Sequence, residues 1–372
     1  MSPSRLAPAL LAIGLTIHAI IAVKSFVESP RPASDFDRYY QIASGQGRPY
    51  VDYQVEHPIG TLLVFKTLGL PGTRAAFGRG VVTVNTICDA TIVAALAWGF
   101  GLPAAAYYAV VSSPISGLLF NRIDFWSMAA ATLAVAAWRR RHLRLAGGAF
   151  AVGASLKLWP LVLAASLATE GRRARAAVGV LLLVGGSLAA AALAISGVSA
   201  IVQVLTFRNA HGWQIESVIG SVLHAISSEP PRMESGSWRI GEMPRFASTG
   251  LFLAAAPLAL WSSLRGFQTS RAGAGWLASV SWLLLLSALL SAQYIGWLIP
   301  GGAIAWSERN RRLAIGAALC VALTQAFWTF YGDVLDGARF AVWFVVIRNV
   351  ALAWLAFDAT VAIADRGLRV AD

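Results

Sequence analysis

The sequence predicts an all-α, multi-pass integral membrane protein, and three observations carry that reading. Hydrophobic residues make up 57% of the 372, with a mean hydropathy of +0.63, and they gather in repeated runs near the roughly 20 residues that cross a bilayer as helix. Charged residues are only 13% of the chain, against an ordinary share of about a quarter. The arginines concentrate in short connections between the apolar runs: Arg139, Arg140, Arg141 and Arg144, then Arg172, Arg173 and Arg175, Arg265 with Arg271, Arg309 with Arg311 and Arg312, and Arg366 with Arg369. The positive-inside rule places those connections on the cytoplasmic face. A soluble globule is excluded, and the net charge of +12 belongs to these connections, so no nucleic-acid partner is expected.

Taken in order, the first run follows Arg5 and covers about 6–23. The residues after it, Lys24-Ser25-Phe26-Val27-Glu28, lack the small-residue pattern of a cleavage site, so it reads as the first membrane helix and not as a leader. Further spans are expected at 80–99, 103–119, 124–138, 145–156, 158–169, 176–196, 246–264, 272–290, 294–307, 313–331 and 340–364. With the first at 7–27, that is about twelve crossings within one domain over 1–372, both termini cytoplasmic. The stretch 145–169 must go out and back in one length, with a break at Lys157-Leu158-Trp159-Pro160, because proline cannot donate the helical hydrogen bond. Half-length helices at membrane depth are tolerated only inside protein, so the break points towards an internal polar cavity. The segment 58–70, with Lys66 inside it, suits a re-entrant or interfacial helix better than a crossing. Cys88 and Cys320 lie within apolar runs without metal-ligand spacing, and there is no HExxH or Cys/His cluster. Neither a metal nor a cofactor is expected.

Two connections on the inferred outer side are long. The second, 197–245, carries Arg208, His211, Glu216, Glu229, Arg232, Glu234, Arg239, Glu242 and Arg245. Within it Ile215, Val218, Ile219, Val222, Leu223 and Ile226 recur at helical spacing. That predicts an amphipathic helix lying along the membrane surface and ending before Pro230-Pro231. The first, 28–79, is unusual for this chain because it gathers acids and aromatics: Asp35-Phe36-Asp37-Arg38-Tyr39-Tyr40, Pro49-Tyr50-Val51-Asp52 and Glu56-His57-Pro58. A short surface helix from Asp35 to about Ser44 would put Asp35 and Tyr39 on one face and Asp37 nearly opposite. Only one of the two aspartates then enters a given cavity. Two roles are open to Asp35: a helix cap beside Ser34, or a general base taking a proton from an acceptor hydroxyl.

The order Asp-Phe-x-x-Tyr-Tyr, Gly47-Arg48-Pro49-Tyr50-Val51-Asp52, Glu56-His57-Pro58, Asn121-Arg122-Ile123-Asp124, Lys157-Leu158-Trp159-Pro160, Gln214-Ile215-Glu216-Ser217 and Ser291-Ala292-Gln293-Tyr294 resembles glycosyltransferase family 87. Glu56-His57-Pro58-Ile59 departs from the Glu-Tyr-Pro-Pro common in that family and leaves substrate choice open. The resemblance implies a GT-C-type bundle with outer-face juxtamembrane helices. It also implies inverting transfer of one sugar, mannose or arabinofuranose, from a polyprenyl-phosphate donor to a lipid-linked or cell-envelope glycan acceptor on the outer face of the plasma membrane. Asp35 matches the family's acid and would be the base, with Asp37 as the alternative. Candidates for the donor phosphate are Arg122, Lys157, Arg208 and His211, since stabilising the departing group calls for cations near the outer boundary. Candidates for sugar and acceptor are Tyr39, Tyr40, Glu56, His57, Asn121, Gln214, Glu216, Gln293 and Tyr294. The ordinary roles of the same residues stay open: an Arg122–Asp124 pair, a snorkelling Lys157, a solvated Arg208 and His211, an interfacial Tyr294. Asp89, Arg348 and Asp358 lie in apolar spans and are expected to pair within the bundle. A transporter or flippase of a lipid-linked or polar substrate is the alternative class, and it would more often show paired broken helices in two corresponding halves.

The charge pattern generates a topological prediction. Reporters fused after Arg141, Arg173 and Arg311 are expected to be cytoplasmic, and reporters in the loops holding Asp37 and Glu229 external. A cytoplasmic Asp37 would put the proposed base on the wrong side of the membrane.

Overall fold

A computed structural model describes residues 3–28, 35–206, 211–227, 229–244 and 246–369. It divides the chain into two compact units, one of 1–109 with 116–209 and one of 110–115 with 210–372.

In the first unit the helices are α1 (Pro3–Val27), α2 (Asp35–Ser44), α3 (Ile59–Gly69), α4 (Arg74–Phe100), α5 (Leu102–Ser112, which continues into the second unit), α6 (Ser116–Phe120), α7 (Asp124–Arg139), α8 (Leu143–Leu156), α9 (Pro160–Ala164), α10 (Arg175–Ser196) and α11 (Ser199–Thr206). Local chemistry sets their ends. Thr73 caps α4 by accepting from the Ala76 amide, and Gly101, at φ 89°, stops it. The α7–α8 turn closes through Arg141, at φ 64°, with the His142 amide donating to Ala137. Lys157 is extended and Pro160 opens α9, so the break expected there is present. α7 packs between α4 and α8, and α8 packs on α10.

The second unit holds α12 (Val218–Ile226), α13 (Ala247–Gln268), α14 (Ala272–Leu285), α15 (Leu298–Ser307), α16 (Arg311–Thr329), α17 (Tyr331–Leu335) and α18 (Arg339–Arg369). A small antiparallel sheet, β1 (Trp213–Gln214), β2 (Arg232–Glu234) and β3 (Ser237–Ile240), has the order β1-β3-β2. Arg239 faces Gln214 on one side and Arg232 on the other. The β2–β3 turn is Ser235-Gly236, both at positive φ, as the right-handed twist of a two-residue hairpin requires. This hairpin was not expected from the apolar pattern. α12 begins at Val218, capped by Ser217, whose hydroxyl accepts from the Gly220 amide at 3.1 Å. Ile215 therefore lies in the turn before the helix and not on it.

The chain is a multi-pass helical membrane protein, with seven helical segments among the described residues long and apolar enough to cross: Leu6–Val27, Arg74–Phe100, Leu102–Phe120, Pro160–Ser196, Ala247–Gln268, Arg311–Thr329 and Arg339–Asp365. The expectation of about twelve crossings is corrected. The stretches 124–138, 145–156, 272–290 and 294–307 form shorter helices, and 158–169 makes no separate crossing because it falls largely within Pro160–Ser196. At about 1.5 Å per residue, the 14 residues of α14 reach roughly 21 Å, short of a hydrocarbon core of about 30 Å. Their hydrophobicity reflects burial in protein: most residues of α7 and α14 are buried. A buried helix can be as apolar as a spanning one, so composition alone overcounts. The stretch 158–169 joins the run leading to α10 through a 3-10 segment (Ala165–Ala174) broken at Gly171. α3, with 11 residues, is also too short to cross.

Glycine sets the closest helix approach in the first unit. A Cβ on Gly147 would lie 2.1 Å from the Ala177 carbonyl oxygen, whereas one on Gly186 would meet nothing within 4 Å. Gly147→Leu is therefore expected to separate α8 from α10 and destabilise by about 1–3 kcal/mol. Gly186→Ala should be neutral or gain a few tenths. Thermal unfolding in detergent, variant against variant, checks the ranking.

Candidate active site

α2 is the element on which the first-unit candidates converge. Asp35 opens it, and its carboxylate is ion-paired with Arg122, which lies just before α7. Asp37 pairs with Arg74 at the start of α4. Arg38 grips Glu56 with two bonds of 2.5 Å, and His57 Nε2 lies 3.5 Å from the same carboxylate. Lys157 donates to Asp124 at 2.6 Å. Four acids are thus each matched by one cation, a stringent arrangement because an unpaired charge in low dielectric is costly.

These partners give several of the expected residues definite positions. Arg122 pairs with Asp35. Lys157, expected at the donor phosphate, neutralises Asp124, whose side chain is 1% exposed. Glu56 and His57, expected at an acceptor entrance, sit within the α2–α3 contact, where Tyr39 stacks on Phe65 with centroids 5.1 Å apart and meets the His57 ring edge-on. The Tyr40 hydroxyl is directed to the Gly72 carbonyl at 2.8 Å. Asn121 donates to the Gly117 carbonyl and the Ser25 hydroxyl. Arg208 lies outside the described residues.

Residues without an expected role hold this arrangement. Asn85, fully buried in α4, donates to the carbonyls of Phe120 and Arg122 at 2.8 and 2.7 Å, fixing the turn that presents Arg122. Gln203 on α11 donates to the Tyr50 carbonyl and accepts from the Val55 amide, and Ser196 donates to the Pro49 carbonyl. Tyr50 is thereby kept at φ 63°, a strained setting for a bulky residue. Burial, with Tyr53 and Glu56 nearby, pushes its phenol well above the ordinary value, so it stays protonated and donates to the His57 carbonyl at 2.7 Å. Asn85 was the most findable of these, as an amide side chain within an apolar span.

In the second unit, Gln214 donates to the Ser291 hydroxyl at 2.8 Å. Glu216 is buried; Tyr331 lies 3.4 Å from its carboxylate, and its main-chain oxygen accepts from Arg348 at 2.6 Å. Gln293 and Tyr294 occupy the 3-10 segment Ala292–Trp297, where Tyr294 stacks on Trp297. Of the three ionisable residues expected to pair inside spans, Asp89 meets His18 at 2.9 Å and Tyr108 at 2.7 Å, and Asp358 meets Arg312 at 3.0 Å. Arg348 donates to the Glu216 main-chain oxygen and interacts electrostatically with the charge of that residue. The His211 side chain is exposed, and its amide donates to Glu234. Among the described residues no group of three His, Cys, Asp or Glu is placed to hold a metal. The chain matches no protein-family model and no curated protein.

Glu234 latches the His211 segment to the hairpin, accepting also from the Gly212 amide at 3.0 Å. Burial alone would raise its carboxyl, but the amides of His211 and Gly212, with Arg239 and Arg232, outweigh that and hold it below the usual range. Its contribution to stability is therefore present above the ordinary glutamate value of about 4.3 and lost as pH falls through the lower, folded value. Amide exchange at His211 and Gly212, corrected for intrinsic rates, should show that loss. Glu234→Gln should abolish its pH dependence.

Proposed function

We propose that the protein is an inverting glycosyltransferase that moves a sugar from a polyprenyl-phosphate donor to a lipid-linked or glycan acceptor at the outer face of the plasma membrane. The observation that carries this reading is the exposure of Asp35 compared with the buried acids of the cluster. The Asp35 side chain is 34% exposed and that of Asp37 27%, while those of Glu56 and Asp124 are 5% and 1%. Asp35 is the acid an acceptor hydroxyl can best reach, and it stands at the first turn of a helix, where the amides favour negative charge. The motif order shared with glycosyltransferase family 87 supports the same assignment and suggests mannose or arabinofuranose as the sugar.

In this mechanism the incoming donor phosphate draws Arg122 away from Asp35. The acceptor oxygen attacks the anomeric carbon from the face opposite the phosphate, the bond from that carbon to the phosphate oxygen breaks, and the acceptor proton passes to Asp35. Polyprenyl phosphate departs with its charge stabilised by Arg122, and the anomeric configuration inverts. Lys157 acts indirectly, by keeping Asp124 neutralised behind the Arg122 turn. A lipid or solute transporter is the second reading, favoured by the broken α8–α9 segment with a buried Lys157–Asp124 pair beside it.

Purified protein in lipid should release polyprenyl phosphate from a labelled sugar donor; movement of intact substrate without that release would favour transport. Asp35→Asn keeps the size and can still accept a bond from Arg122, but it cannot take the proton. Turnover should fall roughly 100-fold or more with donor binding retained. Asp37→Asn, which loosens the Arg74 contact, should cost far less. Normal rates and pH dependence in both variants would remove the base from α2, and a reversed ranking would move it to Asp37. Arg122→Ala should weaken donor use by about 2–5 kcal/mol if its charge pair is desolvated.

A further inference from the structure

α12 is turned inside out relative to a helix on a soluble surface. Its buried face is polar or small, Gly220, Ser221 and His224, and its exposed face is apolar: Ile219, Val222 and Ile226 are 38%, 46% and 76% exposed. The buried face answers α18. Asn349 donates to the Ser221 hydroxyl at 2.9 Å and to the carbonyls of Glu216 and Ser217, Arg348 donates to the Glu216 carbonyl, and His224 Nε2 donates to the Val334 carbonyl at 2.6 Å.

Those contacts give α12 a depth. The spanning part of α18, Arg339–Asp365, has 27 residues and is about 40 Å long, so it overshoots a hydrocarbon core of about 30 Å by roughly 5 Å at each end. Arg348 lies about 14 Å along the axis from Arg339, well inside the core, whereas Val334 precedes the helix at the boundary. α12 therefore descends from the boundary at His224 to acyl-chain depth at Ser217. Polar side chains and irregular backbone at that depth must be covered by protein, which is what the Ser221 face does for Asn349. Apolar side chains exposed at the same depth meet lipid.

We propose that α12 is a half-inserted helix whose Ile219, Val222 and Ile226 contact the acyl chains of the bilayer while its polar face closes over Asn349 and the main-chain bond of Arg348. This differs from the sequence expectation of a helix lying flat on the membrane surface, and it is independent of the glycosyl-transfer reading. The occupant is bulk lipid: the apolar face belongs to the same unit as α13, a spanning segment with Phe252 and Leu253 similarly exposed.

The test uses the full chain in nanodiscs, with Cys88→Ala and Cys320→Ala as background and single cysteines at Ile219, Val222 and Ile226 carrying a bimane fluorophore. Phe252→Cys on α13 serves as the lipid-facing control and Glu229→Cys as the aqueous one. Lipids bearing a doxyl quencher on the acyl chain should reduce fluorescence at the three α12 positions as strongly as at Phe252→Cys. The deep-chain quencher should act most at 219 and the shallow one most at 226. A membrane-impermeant maleimide should label only Glu229→Cys. Labelling of the α12 cysteines by maleimide would overturn the proposal in favour of water. Absence of both quenching and labelling would overturn it in favour of a protein partner, and equal shallow quenching at all three would restore the flat helix. The positions are read separately, so a variant that fails to fold leaves the others decisive.

Discussion

Charge neutralisation in apolar surroundings is the constraint on which the rest of this structure depends. Moving an isolated carboxylate or guanidinium out of water costs several kcal/mol even after relaxation, and much of each unit's polar chemistry is arranged to avoid that cost. Asp35 with Arg122, Asp37 with Arg74, Glu56 with Arg38 and Asp124 with Lys157 tie α2, the loop before α3, α4, the start of α7 and the α8–α9 break into one assembly. The same rule operates in the second unit with a different solution. Arg348, on a spanning helix, faces the charge of Glu216 and donates to the main-chain oxygen of the same residue, and Asn349 beside it donates to the carbonyls of Glu216 and Ser217 at the mouth of α12.

The second requirement is that backbone polar groups at membrane depth have partners. It explains why the chain can contain broken and short helices at all. α8 stops at Leu156, whose carbonyl accepts from Thr61 on α3, so a neighbouring helix supplies a partner at the break. Close backbone contact is what makes such closure possible, and it depends on small residues: Gly60 meets Ser155, Gly147 meets Ala177 and Gly266 meets Gly275. Small residues at helix contacts, with hydroxyls and amides as cross-links, are the usual basis of association where burial of apolar surface gives no advantage over lipid.

These two requirements also shape what chemistry is open to the cluster. An acid fixed in a buried pair is a structural element, because breaking its pair strands a charge. An acid in a partly exposed pair can exchange its cation for a ligand's at much smaller cost. The pairs here are graded in that respect, from Lys157–Asp124 at the buried end to Arg122–Asp35 and Arg74–Asp37 at the accessible end. That grading, more than the number of acids, separates the two aspartates of α2 from the buried acids.

Composition and arginine placement by themselves determined that this is a helical membrane protein, and local signals fixed individual elements: the acid-led helix from Asp35 to Ser44, the break at Lys157 to Pro160 and the amphipathic stretch ending at Ile226 are all where the pattern puts them. Such features depend on backbone chemistry within a few residues, which a sequence states directly. The number of crossings was not legible, because α7, α14 and α15 are as apolar as spanning helices for a different reason, burial against their neighbours. Pairing was not legible either. Arg122 had Asp124 two residues away but meets Asp35, and Asn85, Gln203 and Arg348 gained their roles from main-chain oxygens far along the chain. Only tertiary structure decided those contacts, since a charged or amide side chain in an apolar medium takes the partner that packing brings within reach, and sequence separation says little about which one that is.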